Sequence, residues 1–476
     1  MTGKNKTKSA LSGGMKISAA SLVTVLLFAG LWLFGETGIY NDSNQYIAMH
    51  IHREPAYSFF LWMFRSLIGE NGYLEAVRLL QNALAAFSVL WLSEELKKQF
   101  GYGSVMELLV SLLLLSPHII TPLSSESGLV LSNGIVSEAL GLPLFYLFAA
   151  QCMRMIWNRE KSAGISALLL ALLLSLVRGQ MMFAILLWLV AAAAVCMERW
   201  ALQRQISDGQ RSAAGRLLLG RLAACILCTL LAFGGRGFLV KSYNLVFNGH
   251  FINNTFGSVG MLANVLYAAD REDGKRIKDQ EAREFFYLSY DLAEERGANY
   301  KSAPEGFLNR AAHLEKWHDA LKFEMIEEPW RLVHDSEGFT DYIPENVESD
   351  RIAGEIMAGI LPAVFGRWLY DYLALSAYGL IRSVAVVHPV LNWYALIAYA
   401  GMAALAVWTL VKNRESKAAR FAVFSVLAVL ANVYATSLII MCLSRYMIYG
   451  LPLFYTGGLL LVYENIRQLK KDESFI

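Results

Sequence analysis

ISAASLVTVLLFAGLWLFG, residues 17–35, is an uncharged run of 19 residues, long enough to cross the hydrocarbon core of a bilayer as a helix. It follows the basic residues Lys4, Lys6, Lys8 and Lys16 and so has the outline of a secretory signal. No small-x-small cleavage motif follows Gly35, and the run reads as a retained first span. AGISALLLALLLSLV at 163–177 is equally free of charge, whereas residues 270–351 are as charged as a soluble domain. The first kind of stretch suits lipid and the second suits water. Over the 476 residues only 17% are charged, against about 25% in soluble domains, so lipid-facing sequence dominates. The formal net charge of +2 gives no electrostatic footprint for nucleic acid, and no nucleic-acid partner is expected.

Apolar runs of this length satisfy their backbone hydrogen bonds in lipid only as helices. The expected spans are 17–35, 74–93, 104–120, 135–155, 162–178, 180–198, 219–240, 391–411, 420–441 and 446–463. Alternate connections carry the basic residues: Lys97 and Lys98; Arg154, Arg159 and Lys161; Arg199, Arg204, Arg211 and Arg216; Lys412, Arg414, Lys417 and Arg420. Arg467, Lys470 and Lys471 follow the last span, while the opposite-side loop Pro117–Gly134 has no Lys or Arg. The positive-inside rule then predicts that both termini are cytoplasmic, which requires an even number of spans. The fold class is an all-α polytopic membrane protein of about ten transmembrane helices (range 9–12), with a large, mostly helical extracytoplasmic loop.

Three regions follow: an N-terminal membrane module, 1–240, with a first external loop at 36–71; an extracytoplasmic region, 241–388; and C-terminal spans with a cytoplasmic tail, 389–476. Within the second, 282–296 and 304–327 have helical periodicity. Residues 352–387 mix Glu355, Arg367, Asp371 and Arg382 with Trp368, Tyr370, Tyr372 and Tyr378, a composition suited to a helix lying in the membrane interface. The five cysteines sit in or beside apolar segments and predict no disulfide framework; Cys225 and Cys228 read as small-residue packing within a span. His50/His52 and His313/His318 lack the spacing and companions of a metal site.

The residues that carry chemistry gather at the expected outer ends of spans. Asp42-Ser43-x-x-Tyr46 stands just beyond the first span, followed by Arg53-Glu54-Pro55-Ala56-Tyr57-Ser58-Phe59-Phe60-Leu61, Leu67-Ile68-Gly69 and Arg78. Ser137-Glu138 opens the fourth span, Arg178 ends the fifth, and Arg445-Tyr446 with Pro452 opens the last. In this order and on this side, these residues resemble the GT-C-type membrane glycosyltransferases, a superfamily that includes protein O-mannosyltransferases and lipid A aminoarabinose transferases. The resemblance covers about 17–200 and 420–465.

That resemblance implies a GT-C-like bundle and an inverting transfer of sugar from a polyprenyl-phosphate donor to a cell-surface glycan, lipid or protein. The N-terminal module would be the catalytic one. Asp42 matches the position of the family's general base, which accepts the acceptor's proton. Arg178, Arg445 and Arg53 would hold the donor phosphate, and Glu138, Tyr46, Tyr446 and Glu54 would position substrate. Arg53 and Glu54 have a simpler reading as a surface ion pair worth under about 1 kcal/mol. For Arg178 and Arg445 the simpler reading is interfacial snorkelling. Many relatives carry two adjacent acids at the catalytic position; here Asn41 and Ser43 flank Asp42. No metal ligand set is assigned, although a divalent cation is left open. The expected setting is the plasma membrane of a bacterium.

Two other classes fit many spans with a large loop. One is a polysaccharide polymerase or ligase, which does not need an aspartate straight after the first span. The other is a lipid-linked sugar flippase or transporter, for which internal repeats and polar residues at mid-membrane would be the signature.

Overall fold

In a computed structural model, residues 18–124, 128–206, 211–336 and 342–473 are described. The basic residues Lys4, Lys6, Lys8 and Lys16, the start of the first expected span at Ile17, and 125–127 of the expected outer loop lie outside them. Helices dominate, and no strand is present among the described residues beyond a single bridge between Gly38 and Gly134. In chain order the helices are α1 (Ala19–Phe34), α2 (Ser43–Ile47), α3 (Pro55–Ile68), α4 (Tyr73–Phe100), α5 (Ser104–Ser124) and α6 (Ser137–Asn158). Next come α7 (Lys161–Val177), α8 (Phe183–Ile206), α9 (Arg211–Asn248), α10 (Phe256–Tyr267), α11 (Gln280–Glu295) and α12 (Phe307–Ala320). The last are α13 (Glu328–Ser336), α14 (Tyr342–Arg382), α15 (Pro389–Lys412), α16 (Lys417–Ser437), α17 (Ser444–Met447) and α18 (Leu451–Glu473).

Among the described residues, eight helices are long and apolar enough to cross a membrane: α4, α5, α6, α8, α9, α14, α15 and α16. The chain is therefore an all-α, membrane-spanning protein. α1 and α7 are shorter apolar helices of 16 and 17 residues. The expected spans each fall on a helix, but several helices run on beyond the apolar stretch. Hydropathy reports the thickness of lipid, whereas a helix continues until a cap or breaker ends it.

A single apolar core joins α1, α4–α8, α15, α16 and α18, with Val89, Phe145, Phe148, Phe421 and Leu461 among its buried residues. α9 lies on the rim against α7 and α8. It leaves Leu230, Leu231, Phe238 and Val246 exposed, as a lipid-facing helix does.

The two ends of this bundle differ. At one end Lys417 donates to Gln99 at 2.7 Å, Arg420 pairs with Glu198 at 2.6 Å, and Arg467 donates to the Phe100 carbonyl at 2.9 Å. These residues lie in or beside the connections expected to be cytoplasmic, so those connections meet at one end, as the charge pattern requires. Asp42, Glu138, Arg178 and Arg445 meet at the other.

Above that second end, residues 256–382 build a separate core from α10, α11, α12 and α14, with Trp330 of α13 fully buried and donating to Ser289 at 2.8 Å. The expected interfacial helix at 352–387 is the C-terminal part of α14. Ile352, Ile356, Ile360, Val364 and Trp368 follow one another at four-residue steps and enter this outer core. Its charges pair within the same layer: Arg351 with Glu281, Arg367 with Asp270 and Asp273, Asp371 with Arg310, and Arg382 with Glu315. Length and composition alone would allow α14 to span. Burial against the outer layer accounts for one of its apolar faces, while Phe365, Tyr370 and Leu373 stay exposed.

Candidate functional site

The loop after α1 is pinned before it reaches Asp42. Arg78 on α4 pairs with Glu75 and donates to the carbonyl of Gly35. Gln81 and Asn82, three and four residues further on and hence on the same helix face, donate to the carbonyl of Ser132; Gln81 also reaches that of Gly134. Gly38 N–H donates to the Asn133 carbonyl at 3.0 Å, Ile135 N–H donates to the Gly38 carbonyl at 2.9 Å, and Ser43 Oγ donates to the Ile135 carbonyl at 2.8 Å. Gly35 packs so closely on Asn133 that any side chain there would collide. Buried polar groups of α4 thus fix the turn that presents Asp42 at the head of α2.

Asp42 is held between two arginines. Arg53 Nη2 donates to Oδ1 at 2.8 Å, and Arg445 Nη2 lies 3.4 Å from Oδ2. Arg53 is itself aimed by Gln45, which accepts from Nε at 2.7 Å, and its guanidinium sits 5.0 Å over the Tyr46 ring. Burial opposes ionisation of Asp42, but the guanidiniums of Arg53, Arg445 and Arg178 outweigh it and hold the carboxyl below its ordinary value.

Arg178 has a different partner. It caps α7, pairs with Glu138 in the first turn of α6 at 2.7 Å, donates to Gln180 at 2.8 Å, and lies 4.4 Å over the Tyr446 ring. Gln180 donates to Asn432, which in turn donates to the Tyr446 carbonyl, so α7, α16 and α17 are linked around the arginine. Tyr46 reaches the same place, its hydroxyl donating to Ser137 Oγ at 3.0 Å. Tyr446 OH accepts from Arg445 at 2.7 Å.

All eight residues singled out in the sequence therefore gather at one end of the bundle, seven of them in two linked sets and Glu54 beside them. Asp42, Arg53 and Arg445 form one; Glu138, Arg178, Tyr46 and Tyr446 form the other. Arg53 and Glu54 do not form a surface pair with each other. Glu54 is buried, pairs with Arg236 of α9 at 2.5 Å and accepts from Asn254 at 2.8 Å. Burial pushes its carboxyl above the ordinary range despite these partners. Gly179 passes so close that a Cβ there would come within 2.7 Å of Glu54 Oε1.

Two cavities open on these sets. The wider, about 500 Å³, is lined by Asp42, Arg53 and Arg445 from the bundle and by Asp319, Lys322 and Glu327 from the outer layer. The narrower, about 320 Å³, is lined by Glu54, Arg178, Gln180, Arg236, Asn254 and Thr436. They share Asp42, His52, Arg53, Ile440 and Tyr446 as common wall. His52 bonds Thr255 at 2.7 Å; burial first, then His50, Lys322 and Arg53, push its pKa down to about 2.

Arg236, Lys322 and Glu327 are lining residues that sequence reasoning passed over, and His52 was weighed there only as half of a metal pair. Arg236 had a legible signal, since an arginine well inside an apolar span is costly and marks a buried partner. Lys322 and Glu327 had none, because nothing local encodes a cavity across from Arg53. Among the described residues no group of three or more His, Cys, Asp and Glu side chains converges as a metal site. No protein-family model matches the chain, and no curated protein or solved structure does either.

Proposed function

We propose that this chain is an inverting glycosyltransferase. It takes sugar from a polyprenyl-phosphate donor on the extracytoplasmic face of the membrane and passes it to a cell-surface glycan, lipid or protein. The observation that carries the reading is the Asp42 carboxylate held by Arg53 and Arg445 on the wall of a cavity roofed by the outer layer. The order of Asp42, Glu138, Arg178 and Arg445 along the chain, which resembles the GT-C-type enzymes, adds to it.

In this reading the acceptor hydroxyl attacks the anomeric carbon as the bond from that carbon to the phosphate oxygen breaks. The acceptor proton passes to Asp42, and the electron pair leaves on the polyprenyl phosphate. Guanidiniums at the phosphate stabilise the charge that develops there. A carboxylate engaged by two arginines is a poor base. A donor phosphate that draws Arg53 and Arg445 to itself would restore the basicity of Asp42, tying proton acceptance to donor occupancy.

The test compares cell-surface glycans and lipid-linked sugars in a deletion strain carrying wild type or Asp42→Asn, with membrane expression of both measured. A variant that reaches the membrane and leaves the sugar missing supports the reading, and the accumulated carrier lipid names the donor. Full restoration by Asp42→Asn sinks it and moves the polymerase and transporter readings ahead.

A further inference from the structure

The outer wall of the wider cavity includes the seven-residue π-helical turn Leu321–Glu327, between α12 and α13. Such turns are rare and recur at functional sites, where the widened turn re-aims side chains. Here Leu321, Met325 and Ile326 enter the core of the outer layer, while Lys322 lines the cavity with Arg53, Arg445 and Asp42. Lys322 is only 2% exposed, and its Nζ lies 3.6 Å from Glu327 Oε1. Burial pulls its pKa down, against the pull of Glu327.

Burying an ammonium costs several kcal/mol before compensation, so a leucine or methionine would serve packing better at this place. The cavity balances its charges: Arg53 and Arg445 lie on Asp42, Lys322 lies near Glu327, and Asp319 supplies the third carboxylate. A phosphate ester entering it would meet cations from three distant segments of chain, two from the bundle and one from the outer layer. Lysine suits the third place, because its ammonium is a point charge on a flexible stem that can swing from a carboxylate to a phosphate.

We propose that Lys322 is the outer-layer member of a three-cation clamp, with Arg53 and Arg445, for the phosphate of a prenyl phosphoester. The choice of ligand rests on the glycosyltransferase reading, but the claim concerns binding alone. Lys322 binds the phosphate directly, and its clamp would join the outer layer to the bundle when the donor is bound.

The test uses the full-length protein in detergent micelles, titrated with geranylgeranyl phosphate, with geranylgeraniol and inorganic phosphate as separate arms. Lys322→Met should weaken the phosphate lipid by about tenfold, leave the prenol unchanged and melt at or above the wild-type temperature, while Lys322→Arg keeps most of the affinity. Glu327→Gln, which removes the competing carboxylate, should bind the phosphate lipid at least as tightly as wild type. Inorganic phosphate that competes in wild type but not in Lys322→Met supports the same assignment; equal competition in both overturns it. An unchanged affinity in folded Lys322→Met also overturns it, and leaves the transferase reading to be judged by sugar transfer in Asp42→Asn. If Lys322→Met fails to fold, Glu327→Gln decides, and a tenfold loss there overturns the clamp.

Discussion

Arg445 Nη2 lies 3.4 Å from Oδ2 of Asp42 although 403 residues separate them, while Arg53 donates to the other oxygen at 2.8 Å. The loop after α1 and the approach to the last helix are thus joined through one carboxylate. Burial alone would raise the pKa of that carboxylate; the guanidiniums reverse the sign and hold it below 3.8.

If Asp42 is the general base of the proposed transfer, the acid limb of the pH dependence of kcat/KM should fall below the ordinary carboxylate range in wild type. Arg445→Met removes one opposing charge, so the limb should move towards higher pH as burial regains weight. The same change should lower kcat/KM by about 100-fold, from lost stabilisation of the leaving phosphate. Sugar transfer in membranes from pH 8 down to about pH 3, compared between the two proteins, checks both. An acid limb that stays in place in Arg445→Met would detach Arg445 from the ionisation of Asp42.

His52 offers a separate prediction on stability. Its pKa, pushed down to about 2, keeps the ring neutral in the folded protein, whereas the unfolded chain takes up a proton near 6.5. A depressed folded value means the His52 contribution is full above about 6.5 and declines as pH falls from there towards 2. By pH 5 the loss is about 2 kcal/mol. His52→Gln, which cannot titrate, should flatten that part of the melting-temperature curve between pH 7 and 5. An unchanged slope in the variant would mean that other groups set it.

The small backbone feature at Gly179 carries a packing prediction. Its Cβ would lie 2.7 Å from Glu54 Oε1, an oxygen already fixed by Arg236 and Asn254. Gly179→Ala should cost about 1–3 kcal/mol by displacing that network. Glu54→Gln removes the charge but not the bulk, so restoring stability to Gly179→Ala should require a shorter residue with the arginine neutralised too, as in Gly179→Ala with Glu54→Ala and Arg236→Met. Melting of the four proteins in detergent decides between overpacking and a purely electrostatic effect.

The helices were legible because an apolar stretch such as 17–35 has few alternatives to a span, and its helix runs from Ala19 to Phe34. The basic loops fixed which ends would meet, and Lys417 and Arg420 lie beside Gln99 and Glu198 accordingly. The outer layer was less legible. α14 looks interfacial because its charges and aromatic residues are read without partners, yet Arg351, Arg367, Asp371 and Arg382 each pair within the layer. The wall at Lys322 was not legible at all, since its meaning depends on Arg53, far away in sequence.

Glu138 and Arg178 lie 2.7 Å apart with the carboxylate side chain 2% exposed and the guanidinium 15% exposed. Their contact joins the start of α6 to the end of α7, and Tyr446 covers the arginine from the far side at 4.4 Å. Two roles can be separated here. If the pair is structural, breaking it through Arg178→Met leaves an uncompensated buried charge and costs about 3–5 kcal/mol, while Glu138→Gln with Arg178→Met recovers most of the loss. If Arg178 also meets the donor phosphate, the double variant should regain stability without regaining sugar transfer. We expect the second pattern, because Arg178 lines the cavity that shares Asp42 and Tyr446 with the wider one. Melting curves and transfer assays on wild type, the two single variants and the double variant supply the full cycle. Recovery of transfer along with stability in the double variant would reduce Arg178 to a strut between α6 and α7.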